Sequence, residues 1–419
     1  MRSLAADMAT TTCTSPALAR AAGAKRHTVS VYRGPAGLRT ICAEQSRHAQ
    51  TIALPRLADF LDWYGAYLDH LAPSPDDVLF CVVAGDAGTA SIVPLRKCVW
   101  RLAGIRLQSL ELPNEWRMPS GDVLVSDGAD PAEWLPAVLA ELPSLAGGRC
   151  DYLRLTNLLA ESELAGGLRA ARSFAPLQIR ISGCCAAPAL SEQQLAHWLT
   201  KKFRQKLRYI AKRLVAAGAS FETATAPADV ERAYEEFLEV EAAGWKGAEG
   251  SRSALRFDER LGPFYRQFMC RLAARGRAEI NLLRLGQRPI AGQCVFSTSD
   301  TYYVLKIGYD ESFREFSPGV ALMEHLFRRA GSAAAAKAVN FTTDMPWMKD
   351  WQAASQDVVD LLLLPSTPRG WLAGWYWRAV RAAQFHRRAW VAPLYHRLVG
   401  APAQRYRRRR GRCSAHASE

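Results

Sequence analysis

Residues 278–310, AEINLLRLGQRPIAGQCVFSTSDTYYVLKIGYD, restrict the fold more than any other stretch. They hold three β-rich runs separated only by Gly286-Gln287-Arg288 and Thr298-Ser299-Asp300. Connections this short can join only neighbouring antiparallel strands, so the stretch specifies a meander. Two helical stretches precede it, ADVERAYEEFLEVEAAGW (228–245) and FDERLGPFYRQFMCRLAARG (257–276); a helix, SPGVALMEHLFRRAG (317–331), and a short strand, AVNF, follow it. The same order occurs earlier in the chain. The helical LPRLADFLDWYGAYLDHL (54–71) leads to VLFCVVAGDAGTASIVPLRK, a hairpin about Gly85-Asp86-Ala87-Gly88, and then to the helix DPAEWLPAVLAEL and the strand CDYLRLTNL. Helix, meander, helix and strand, twice over, predict an α/β (α+β) fold of two tandem units. Each is a mixed, mainly antiparallel sheet flanked by helices. The units are expected over residues 36–185 and 190–365, after a disordered leader (1–35) rich in Ala, Thr and Ser.

Between the units, LSEQQLAHWLTKKFRQKLRYIAKRLVAAG opens on a capping-box pattern, Ser191 with Gln194. Phe203, Leu207, Ile210 and Leu214 then mark one helical face, and seven basic residues from Lys201 to Arg213 fill the others. The chain carries a formal net charge of +14, which points to an anionic partner. After Pro365 come Trp371, Trp375, Trp377 and Trp390 interleaved with arginines, and then six arginines in residues 405–412. Residues 366–419 therefore form a tail suited to an anionic membrane interface. The ten cysteines show no C-x-x-C pair or metal-ligand spacing, so no metal site and a reducing cytosol are expected. No run approaches the length of a membrane span, and the expected location is cytoplasmic, peripheral on the inner membrane.

In GYDESFREFSPGVALMEHLFRRAG, Ser317 suits an N-cap, Pro318 the first helical position, and Gly319 leaves the amide end bare. Val320, Met323, Phe327 and Ala330 make the packing stripe. A helix start of this kind is an ordinary boundary or an anion site.

The second half resembles the GNAT acyltransferase superfamily, specifically its CelD-type branch of cellulose and exopolysaccharide biosynthesis, related to the FemAB peptide-bridge transferases. The residues that carry the resemblance are KKFRQKLRYIAKRLVAAG, Trp245, LGQRPIAGQCVF, YYVLKIGYDESFREFSPGVALMEHL and VNFTTDMPWMKDWQ, in that order; SIVPLRK resembles the branch's degenerate first copy. The resemblance implies acyl transfer from acetyl-CoA or another acyl-CoA to a sugar or amine acceptor. It implies a pyrophosphate site at Ser317, Gly319, Val320 and Ala321 with Arg314 nearby. Asp344, Asp310 and Tyr309 are the candidates for proton transfer, and Lys349, Trp245 and Trp351 for substrate contact; for both tryptophans core packing is the alternative. The sequence departs from the branch at SPGVAL, which lacks the usual Gln/Arg-x-x-Gly-x-Gly/Ala loop, and at DMPWMK, which lacks the tyrosine before Lys349. Two further readings stand beside the first: FemAB-like transfer from charged tRNA, and a non-catalytic accessory protein of polysaccharide synthesis.

Overall fold

The computed structural model describes residues 11–13, 27–47, 57–85, 88–102, 104–113, 123–126, 129–171, 173–248 and 250–382. The elements of the first half are β1 (Thr11–Cys13), β2 (Thr28–Arg33), α1 (Gly34–Arg47), α2 (Leu57–His70), β3 (Val78–Gly85), β4 (Gly88–Leu102), β5 (Ile105–Glu111), β6 (Leu124–Val125), α3 (Pro131–Leu145), β7 (Tyr152–Leu159), α4 (Glu163–Arg169) and β8 (Phe174–Pro188). The connector is α5 (Glu192–Trp198) and α6 (Lys201–Ala216). The second half follows with β9 (Ala219–Ala224), α7 (Pro227–Ala242), α8 (Leu261–Ala273), β10 (Ala278–Leu285), β11 (Arg288–Ser297), β12 (Thr301–Tyr309), α9 (Pro318–Ser332), β13 (Ala338–Asn340) and β14 (Ala354–Pro365). A last helix, α10, runs over 368–382.

All the described strands join one 14-stranded sheet in the order β1-β2-β3-β4-β5-β7-β14-β8-β13-β12-β11-β10-β9, with β6 beside β4. Pairing is antiparallel except at β5–β7 and β12–β13, one parallel pair per half. The halves interlock at the centre. β14, last strand of the second half, lies between β7 and β8 of the first, while β8 lies between β14 and β13. The repeated order seen in the sequence thus becomes a pseudo-two-fold arrangement whose middle two strands are exchanged.

Apolar periodicity accounts for the layers. On one sheet face Phe60, Trp63 and Tyr64 of α2 enter a single core with Phe264 and Phe268 of α8, and Trp63 meets those two rings edge-on at 4.9 and 5.1 Å. One core therefore spans both halves. On the other face α3 covers the first half, and α6 with α9 cover the second. In α6, Phe203, Leu207, Ile210 and Leu214 are buried while Lys201, Lys202, Lys206, Arg208 and Lys212 are exposed, as the amphipathic pattern requires. Ser191 and Gln194 form the capping box.

Thr28–Arg33, assigned from sequence to a disordered leader, instead form β2, paired with β3 along its whole length and burying Val29. A six-residue strand has too few apolar positions to stand out in an Ala/Ser/Thr-rich sequence, and its partner supplies the pairing. Asp86 and Ala87, Trp390 and the arginines of 405–412 lie outside the described residues. No described helix is long and apolar enough to cross a membrane.

Candidate functional site

β12 is where the second half departs from regular pairing. Its register with β11 slips between Val295↔Val304 and Cys294↔Lys306, which leaves Leu305 as an extra residue in a bulge. Two consecutive side chains, Leu305 and Lys306, consequently face the α7–α8 layer, while Val304, Ile307 and Tyr309 face the layer of α6 and α9. On its other edge β12 pairs with β13 only from Thr301 to Tyr303. Beyond Asn340 the chain bends to β8, where Phe341 N donates to Cys185 O (2.9 Å) and Cys185 N to Thr343 O (3.0 Å). Thr342, at φ +60°, makes that bend and its hydroxyl donates to Val304 O at 3.1 Å. A wedge therefore opens between Val304–Tyr309 and residues 341–345, with Leu305 outside both ladders.

The first turn of α9 follows β12 through a 3-10 turn, Glu311–Phe316. Ser317 does not cap it as the sequence suggests. It has left-handed backbone angles (φ 50°, ψ 51°) and makes no side-chain cap bond, because the same residue also ends the 3-10 turn. Its carbonyl instead accepts from Val320 N (3.0 Å) and Ala321 N (3.2 Å). Of the amides that the pyrophosphate site implied by the resemblance would take from Gly319, Val320 and Ala321, two are thus already engaged, and Gly319 N has no hydrogen bond to another described residue. A Cβ at Gly319 would meet only Tyr309 Cδ1 (3.7 Å) and Ile307 Cδ1 (3.9 Å), so the position does not demand glycine for space. As an anion cradle this terminus supplies one amide rather than three.

The other expected site residues divide by burial. Asp310 is 6% exposed and closes the 3-10 turn: it accepts from Ser312 N (2.9 Å), Ser312 Oγ (2.6 Å) and Arg288 (2.7 Å). Burial pushes its carboxyl up, but the Ser312 hydrogen bonds and the Arg288 charge outweigh that and hold it below the usual range. Tyr309 is half-buried beside α9. Asp344 is exposed and lies against β8, where its side chain fills the space a Cβ on Gly183 would take. Lys349 and Arg314 are exposed. Trp351 is 1% exposed, stacked on Phe327 at 4.6 Å and edge-on to Phe203 at 5.0 Å, so it is a core residue and not a substrate contact. Trp245 is the reverse: core packing is its commoner role, yet it is 57% exposed, with Lys246 Nζ 6.0 Å from its ring.

Next to Trp245 lies a charged cluster that the sequence did not single out. Glu241, 2% exposed at the end of α7, accepts from Lys246 Nζ (2.6 Å) and Leu255 N (2.9 Å). Lys246 Nζ also reaches Ile307 O at 3.3 Å, which ties α7 to the β12 backbone just past the bulge. Lys306 projects into the same layer with Nζ 4.9 Å from the Tyr265 ring. Burial lowers the Lys306 ammonium, but Tyr265 and Glu241 more than compensate and raise it, so it stays charged. The available signal was a lysine inside the otherwise apolar run YYVLKIGY.

In the first half the corresponding sheet face is covered. Arg154 on β7 bridges Glu111 (3.3 Å) and Asp360 (2.5 Å), and Trp377 of α10 lies over its guanidinium at 4.3 Å. Trp100 Nε1 (2.8 Å) and Tyr152 OH (3.1 Å) also donate to Glu111. In the second half the start of β14, residues 354–357, is exposed. A separate cleft of about 630 Å³, lined by His70, Glu231, Arg256, Arg266 and Cys270 among others, meets the charged cluster only at Leu255.

Two α/β units that exchange their middle strands, with a bulged strand that loses its parallel neighbour near a helix N-terminus, are the frame against which known proteins compare. Residues 201–347 match the family model described as "Acetyltransferase (GNAT) domain". The solved structure of FemX superposes with a TM-score of 0.51 at 13% identity, covering 74% of this chain and 92% of that one. L-PGS from Bacillus licheniformis gives 0.47 at 13% identity (80% and 94% covered). A tandem GNAT protein from the clavulanic acid biosynthesis pathway gives 0.44 at 15% (81% and 99%). At 13% identity the likeness to FemX is one of fold alone. No curated protein matches the chain by sequence.

Proposed function

We propose that the chain is an acyl-CoA-dependent N- or O-acyltransferase, an acetyltransferase of the CelD type, acting on a polysaccharide or cell-envelope precursor. The observation that carries this reading is the wedge between Val304–Tyr309 and residues 341–345 at the start of α9, within the stretch that matches the GNAT family. The acyl thioester enters the wedge, where the backbone of Leu305, outside both ladders, polarises its carbonyl. The donor's pyrophosphate takes the Gly319 amide, with Arg314 and Lys349 adding charge. The acceptor approaches over Trp245 and the Glu241–Lys246–Lys306 cluster. Its amine or hydroxyl attacks the carbonyl carbon, the C–S bond breaks, the Asp344 carboxylate takes the nucleophile's proton and the Tyr309 phenol protonates the departing thiolate. Asp310, committed to its turn, positions β12 and α9. In this reading the units 36–185 and 190–365 work as a scaffold and a catalytic half, in the cytoplasm and peripheral on the inner membrane through residues 366–419.

Calorimetric titration with acetyl-CoA and, separately, with charged tRNA tests it. Heat with acetyl-CoA, lost in Gly319→Pro, is the expected result; no heat with acetyl-CoA would overturn it. One observation favours a second reading: the exposed basic face of α6 (Lys201, Lys202, Lys206, Arg208, Lys212) suits a polyanion. Heat with charged tRNA alone would select FemAB-like aminoacyl transfer, and heat with neither a non-catalytic accessory role.

A further inference from the structure

α10 is amphipathic in an unusual sense, because tryptophans sit on both of its faces. Ala373 and Trp377 are buried against Leu107, Tyr152, Leu362 and Leu364, and Gly374 lets the helix approach β14 so closely that a Cβ there would stand 2.7 Å from Leu364 Cδ1. This contact fixes the helix's rotation. Trp371 and Trp375, one turn apart, are thereby turned outward, 76% and 69% exposed. The tip of the β4–β5 hairpin continues the same surface. Arg369 donates to Arg106 O at 2.8 Å, and Trp100 lies 6.2 Å from Trp377. Ile105 (40%) and Trp100 (36%) are exposed there, while Val99 (51%) is exposed on the opposite face of the ribbon. Residues 99–106 and 368–382 contain five arginines, Arg101, Arg106, Arg369, Arg378 and Arg381, and no Asp or Glu. The carboxylates beneath it, Glu111, Asp151 and Asp360, are 2%, 1% and 3% exposed and paired with arginines.

We infer that the β4–β5 hairpin tip and the outer face of α10 form a docking surface for an anionic lipid bilayer. Exposed aliphatic and indole side chains enter the headgroup and acyl boundary, and the surrounding guanidiniums meet the lipid phosphates. A folded acidic partner would meet the arginines but would leave Ile105, Trp371 and Trp375 without hydrocarbon. Residues 383–419, outside the described residues, contain nine arginines and a single acidic side chain, Glu419. The sequence that follows the patch therefore carries the same sign of charge. The inference rests on the peripheral-membrane reading above and adds to it a surface built partly from the first half; it is independent of the acyl-transfer chemistry.

Flotation of the full chain with vesicles of phosphatidylcholine, alone or with about one third phosphatidylglycerol, tests it. The chain should float with the anionic vesicles only. The triple variant Ile105→Ser/Trp371→Ala/Trp375→Ala should lose about tenfold or more in partitioning, with its circular dichroism and acetyl-CoA heat unchanged. Equal flotation of variant and parent would overturn the surface and leave binding to residues 383–419. No flotation of the parent would overturn the peripheral-membrane reading itself. Equal flotation on both vesicle types would overturn the requirement for anionic lipid, and flotation abolished by competing RNA would assign the patch to nucleic acid.

Discussion

Trp245 and Trp351 have the same side chain and opposite environments, and substitution should separate them. Trp351→Ala empties a stacked site between Phe327 and Phe203 and should cost about 3–5 kcal/mol in urea denaturation. Trp245→Ala removes an exposed ring and should stay within about 0.5 kcal/mol, while raising KM for the acceptor if the proposed approach is correct. Asp344→Asn should lower kcat by about 10²–10⁴-fold with little change in stability; unchanged turnover would remove Asp344 from the chemistry. His325 on α9 stacks on Phe221 at 4.7 Å and shares a hydrogen bond with Thr223 (3.0 Å). Burial, then the Arg329 charge, hold its imidazole below the usual value. The unfolded chain therefore binds that proton first, so this contribution to stability is present above about pH 6.5 and is lost as pH falls below it. Urea midpoints from pH 7.5 down to 5 should decline less steeply in His325→Gln than in the parent. None of these environments is written in the neighbouring residues. The sequence supplied Trp245 and Trp351 as equals, and burial depends on which elements arrive beside them.

Elements were more legible than sites. The buried face of α6, the capping box of α5 and the meander β10–β11–β12 follow from periodicities of 3.6 and 2 that any short window displays. The start of α9 did not follow, because Ser317 takes its backbone angles from the 3-10 turn that delivers it, and a cap pattern carries no information about the direction of the incoming chain. The bulge at Leu305 was equally invisible, since it is a property of two strands in register. β12 and α7 are tightly apposed at Gly308, where a Cβ would stand 2.9 Å from Glu241 Cα. Gly308→Ala should therefore push the strand from the helix and cost about 1–3 kcal/mol; a neutral effect in thermal melts would show that the contact is slack.

At the scale of the molecule the exchange of β8 and β14 makes each half depend on the other. β14 pairs with β7 and β8, and the core of α2 and α8 crosses between the halves. Urea unfolding should accordingly show one transition, and residues 1–189 and 190–419 expressed apart should each fail to fold, whereas two separable transitions would refute the interlock. Local apolar spacing by itself determined the kind and order of the elements from α2 to β7 and from α7 to β13, and hence the expectation that one unit occurs twice, but not β2 or β14. Only the tertiary structure decided that β14 enters the first half, that Arg154, Glu111 and Asp360 close one sheet face, and that Glu241, Lys246 and Lys306 gather on the other half's counterpart. The physical reason is that periodicity acts over neighbouring residues, while strand pairing and ion-pair geometry join residues far apart in the chain. Such contacts leave no trace until the chain closes on itself.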